Sequence, residues 1–109
     1  MDFNEYQEKA RETAVYPDVG KNMWYPALGL AGEVGEVVEI IKKTYRDNAG
    51  VLVLEKYIKL KKELGDVLWY ITNIACEAGM SMSDIAVQNI DKLQDRKERG
   101  VLHGSGDNR

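Results

Sequence analysis

Glu33-Val34-Gly35-Glu36-Val37-Val38 is answered thirty positions later by Glu63-Leu64-Gly65-Asp66-Val67-Leu68, and Ile41 by Ile71. Each copy sets two carboxylates at i and i+3 among apolar residues at helical spacing, which places both acids on one helix face. If the two helices pack together, four acids converge beside a core. Two carboxylates ~4 Å apart repel by roughly 4 kcal/mol at an effective dielectric of about 20. Such a cluster calls for protons or a cation, and hard oxygen ligands at this density suit Mg²⁺ or Mn²⁺.

The rest of the chain reads as helices around these two. Phe3, Tyr6, Ala10, Thr13 and Ala14 predict a first helix over about Asp2 to Val15, capped by Asp2. Tyr16-Pro17-Asp18-Val19-Gly20 breaks it. A second helix is expected from Pro26 to about Tyr45 or Arg46, with an apolar stripe of Ala27, Leu30, Val34, Val37, Val38, Ile41 and Tyr45. Gly29, Gly32 and Gly35 weaken it by ~1 kcal/mol each, which points to close helix approach or to room beside the acids. The third helix is expected over Leu54 to Ala78, with Leu60, Leu64, Val67, Leu68, Ile71, Ile74 and Ala75 inward. Ser81 with Asp84 opens a fourth, which buries Met82, Ile85, Ala86, Ile90 and Leu93 and stops near Gly100. Residues 100–109 form a glycine-rich tail without periodicity. Val51-Leu52-Val53-Leu54 is the single β-like run and is too short for a sheet. The fold class is therefore all-α: one domain over 1–109, a four-helix arrangement completed by a partner chain.

Bulk composition excludes several function classes. Net charge is −3, so no whole-chain basic field points to nucleic acid. Cys76 is the one cysteine and His103 the one histidine, so neither an intrachain disulfide nor a Cys/His metal cluster can form. Cys76 reads as a packing residue. A ferritin-like di-iron site needs Glu-x-x-His pairs, and neither acid-bearing helix holds a histidine. Met1 to Arg11 lacks an apolar signal core, and no apolar run approaches the ~18 residues of a membrane span. A cytoplasmic protein is expected, with no membrane partner.

Asn89, Lys92 and Arg96 share the inward side of the fourth helix with Met82, Ile85 and Leu93. Two readings stand side by side: a phosphate-binding edge, or cations that snorkel or pair with acids of the second or third helix. Lys42, Lys43 and Arg46 close the second helix, where they favour its negative end and are available to a phosphate tail. Glu39 has Lys43 at i+4 and reads as a surface ion pair. Trp24, Tyr25, Trp69 and Tyr70 are candidates both for stacking on a base and for packing.

With these residues assembled, the chain resembles the MazG-like all-α nucleoside triphosphate pyrophosphohydrolases. The likeness lies in Glu33-x-x-Glu36, 26 intervening residues and Glu63-x-x-Asp66, set in Gly29-Leu30-Ala31-Gly32 and Val67-Leu68-Trp69-Tyr70. Asn89-x-x-Lys92-Leu93-x-x-Arg96 and the tail Arg99 to Asp107 extend it. The resemblance implies hydrolysis of a nucleoside triphosphate to the monophosphate and pyrophosphate, with Glu33, Glu36, Glu63 and Asp66 binding Mg²⁺. Glu36 or Glu33 would instead serve as the base for the attacking water, and the resemblance does not choose. Asn89, Lys92, Arg96, Lys43 and Trp24 would contact substrate. It also implies a homodimer or homotetramer. Sister families, the all-α dUTPases and phosphoribosyl-ATP pyrophosphohydrolase, share the acidic pattern, so the base and sugar stay open. A non-catalytic helical assembly module is the contrasting expectation. The tail is expected either to be disordered or to fold over bound nucleotide through Ser105 and Arg109.

Overall fold

The computed structural model describes residues 1–109 as four helices without a strand: α1 (Phe3–Glu12), α2 (Trp24–Asn48), α3 (Leu54–Glu77) and α4 (Met82–Glu98). Their ends follow local chemistry. Asp2 accepts from the Glu5 N–H at 2.8 Å and Ser81 from the Asp84 N–H at 3.2 Å, the two caps the sequence announces. α1 is shorter than expected because Thr13 leaves the helix and turns its hydroxyl to the Ala10 carbonyl at 2.7 Å. α2 begins two residues before Pro26, where Asn22 Oδ1 accepts from the Tyr25 N–H at 3.1 Å. Gly79 and Gly100, at φ 70° and 73°, supply the left-handed residue that lets Met80 and Val101 bond back to Ala75 and Arg96.

α2 and α3 form a long antiparallel hairpin through the short 49–53 connection, and this is the main packing contact of the fold. α1 lies on α3 and also touches α4. The four helices do not close into a bundle within one chain. The radius of gyration is 16.8 Å, against about 13 Å for a compact domain of this length. Only nine of 109 residues are buried. The expected inward stripes are accordingly half dry: Val34, Val38, Ile41 and Tyr45 of α2, and Leu64 and Ile71 of α3, remain exposed, Val38 at 56% and Leu64 at 50%. Periodicity marks a face that wants cover, and within one chain that cover is incomplete.

The buried residues of α3, Thr72, Asn73 and Ala75, lie toward its C-terminal end. Glu77, its side chain 2% exposed, accepts from the Tyr16 hydroxyl at 2.7 Å, the Gly20 N–H at 2.9 Å and Arg11 Nη2 at 3.4 Å. Arg11 also donates to Tyr16 at 2.7 Å and to the buried Asn73 at 3.1 Å. Burial alone would raise the Glu77 carboxyl; the Tyr16 and Gly20 hydrogen bonds and the Arg11 charge outweigh it and hold it below the usual range. This network ties the 13–23 connection to α3 and so aims the first turn of α2.

Candidate active site

Of the four acids that the repeat sets on facing helices, the structure gathers three. Antiparallel packing of α2 on α3 brings Glu33, Glu63 and Asp66 together, with one carboxylate oxygen from each within 4.8 Å of the others. Glu33 and Glu63 are half-buried and Asp66 is exposed. Glu36, one turn further along α2, is exposed and stands beside this triplet rather than in it. The crowding shows in the titration of Glu33, which is pushed up to about 7. Its hydrogen bond with Glu63 is the largest cause, followed by burial and by the charges of Glu63, Asp66 and Glu36. Glu33 therefore keeps its proton to a pH at which an isolated carboxyl has lost it. A divalent cation would replace it. Three carboxylates within 4.8 Å of one another, two of them half-buried, are the hard oxygen donors that Mg²⁺ or Mn²⁺ takes, and small side-chain rotations would close them on one ion.

Aromatic residues wall the site. A Cβ on Gly29 would collide with the Tyr70 ring, so Tyr70 lies directly against the α2 backbone. Of the two expected reasons for the α2 glycines, close approach holds at Gly29; Gly32 and Gly35 face open space. The Tyr70 phenol is pushed up by burial first, then by Tyr25, Glu33 and Asp66. Burial and the Asp66 charge raise Tyr6 on α1 likewise. Tyr6 as a neighbour of the acids is not evident from the sequence, whereas Tyr70 follows Asp66 at i+4, a signal that was there to be read. Tyr16 stacks on Tyr25 at 5.0 Å, and Trp69 meets both Tyr16 and Tyr70 edge-on, so the four rings form a chain in the order Tyr25, Tyr16, Trp69, Tyr70. Trp24 stands outside this stack and is 79% exposed.

The basic candidates divide. Lys43 pairs with Glu39 at 3.4 Å, and Lys42 joins it at 2.8 Å. Lys43 also lines a cleft of about 330 Å³ between α2 and α3, with Lys56 and Lys59 and with Glu36 and Glu63 at its edge. It thus lies beside the acids. Asn89 and Lys92 are exposed on α4 and Arg96 is buried, but neither cation pairs with an acid of α2 or α3; both meet Asp107 of the tail. The tail is ordered into turns, and Arg109 spends its guanidinium on the carbonyls of Val101, Leu102 and Gly106. Cys76 is half-buried and accepts a hydrogen bond from Gln7 at 3.4 Å. No helix is long and apolar enough to cross a membrane.

No solved structure matches the chain. Gene 37 protein of Mycobacterium phage L5 is 42% identical over 114 residues, covering the whole of both chains. The family model described as the MazG nucleotide pyrophosphohydrolase domain matches residues 26–101, which hold all four acids and the α4 cations. With four helices, no strand and three clustered carboxylates on the matched hairpin, the chain belongs to the MazG nucleotide pyrophosphohydrolase family.

Proposed function

We propose that the protein hydrolyses nucleoside or deoxynucleoside triphosphates to the monophosphate and pyrophosphate, with Mg²⁺ or Mn²⁺ as cofactor. The observation that carries this reading is the convergence of Glu33, Glu63 and Asp66 on the hairpin of a MazG domain. These three would hold the cation. Once bound, it would neutralise the triphosphate and lower the pKa of the attacking water. Glu36, exposed beside the triplet, is assigned as the base that takes the water's proton. Lys43 in the adjoining cleft and Asn89, Lys92 and Arg96 on α4 are assigned to phosphate and sugar oxygens, and Trp24 to the base.

The exposed apolar stripes and the open shape support assembly as a homodimer or homotetramer, which would also cover Val38 and Leu64. Free nucleotides as substrate suit a cytoplasmic setting without nucleic-acid or membrane partners. Incubation with each NTP and dNTP plus Mg²⁺, with separation of products, tests the reading. Monophosphate and pyrophosphate are expected, abolished by chelator and by Asp66→Asn with the fold retained. Release of orthophosphate, or wild-type turnover by Asp66→Asn, refutes it.

A further inference from the structure

Residues 100–109 fold into a small cap on α4. Arg109 binds the carbonyls of Val101, Leu102 and Gly106 at 2.6–3.1 Å, and Arg99 Nη2 binds the Arg109 oxygen at 2.6 Å. The cap sets Asp107 over the α4 cations. Its Oδ1 lies 3.3 Å from Arg96 Nη2 and 3.4 Å from Lys92 Nζ, and its carbonyl also accepts from Arg96. The burial is lopsided: the Arg96 side chain is 5% exposed and that of Asp107 is 83% exposed. A buried guanidinium thus has a solvent-facing counter-ion. Such a carboxylate holds weakly and can leave by rotating its side chain, while the backbone contact to Arg96 stays. Two cations meeting one anionic oxygen is also an arrangement that suits a phosphoryl oxygen.

We propose that the Asp107 carboxylate is an internal stand-in for a substrate phosphate, seated on the Lys92–Arg96 anion site and displaced when the nucleotide's phosphates bind. The proposal rests on the reading of Lys92 and Arg96 as phosphate contacts. It reverses the expectation that the tail adds contacts to the nucleotide: the tail competes with it. A cap that merely staples α4 predicts something different, namely that loss of the Asp107 charge lowers stability without changing anion affinity.

The test uses the full chain and inorganic pyrophosphate in Mg²⁺-free buffer, with titration calorimetry as readout. Asp107→Asn, near-isosteric and exposed, is expected to bind pyrophosphate more tightly by up to about fivefold, the ceiling for an exposed ion pair. Lys92→Gln in the Asp107→Asn background should remove the gain. Asp91→Asn changes the net charge equally from the other side of α4 and should leave affinity as it was. In turnover, Asp107→Asn should lower KM for the triphosphate with kcat retained. Unchanged or weaker pyrophosphate binding by Asp107→Asn overturns the proposal, as does an equal gain in Asp91→Asn. If no nucleotide is turned over, the proposed activity fails, while the pyrophosphate titration still decides the role of the tail.

Discussion

Glu33→Gln should make the metal-free protein more stable in alkali and indifferent in acid. An unfolded chain titrates Glu33 near 4.5, and the folded one near 7. Between those values the folded state binds more protons than the unfolded state, so stability falls as pH rises and the loss is complete above about 7. A carboxyl moved that far corresponds to about 3 kcal/mol. Glu33 stands at the rim of the hairpin, where water screens part of the repulsion, so ~1–2 kcal/mol is expected. For a chain of this length that is a rise of roughly 4–8 °C in Tm. Thermal melts of both proteins in EDTA, from about pH 4 to about pH 8.5 at one protein concentration, measure it. The curves should meet at the acid end, below the unfolded value of 4.5, and part above about 7, with the variant higher. Mg²⁺ should then raise the wild type more than the variant, since the substituted amide offers no charge to the cation. Parallel curves at every pH would refute the account of a Glu33 carboxyl kept protonated by its acidic neighbours.

Gly29→Ala and Gly32→Ala should move stability in opposite directions. The methyl at 29 meets the Tyr70 ring and costs ~1–3 kcal/mol, more than the about 1 kcal/mol of helix propensity it adds. At 32 nothing opposes the added methyl and a gain of ~0.5–1 kcal/mol is expected, so equal urea midpoints would contradict the close approach. Glu77→Gln leaves Arg11 without its counter-ion and should cost ~2–3 kcal/mol at pH 7. Because Glu77 titrates below its ordinary value when folded, its contribution is present above about 4.5 and lost in acid, so the gap from wild type should narrow toward pH 3. A gap as wide at pH 3 as at pH 7 would remove the charge from the explanation.

Helix positions were legible because their signals are local. Asp2 and Ser81 announce their caps, Gly79 and Gly100 their stops, and the thirty-residue repeat announces that two helices carry matching acids. Spacing did not separate Glu36 from the triplet. Around an isolated helix it lies only one step beyond Glu33, and the separation depends on how the hairpin crosses. The Tyr16–Glu77 bond joins residues 61 positions apart, one of them in a stretch that reads only as a break, so nothing local points to it. For the tail, composition left looseness and folding over nucleotide both open; the contacts that shape it, from Arg109 to three carbonyls, carry no local signal in a glycine-rich stretch.

Surface connections are ordinarily where proteases cut first, because cleavage needs several residues to unravel together. The crossover from α1 to α2 should escape that fate. Tyr16 is nearly enclosed, the Gly20 amide is held by Glu77, and Asn22 spans from the Pro17 carbonyl to the Tyr25 amide. Lys21 is exposed between these anchors, yet a trypsin nick there would require all of them to release. Residues 51–53 carry no such side-chain tethers and are exposed. A broad-specificity enzyme should therefore part the acidic hairpin at its tip, leaving Glu33 and Asp66 on separate fragments still packed on one another.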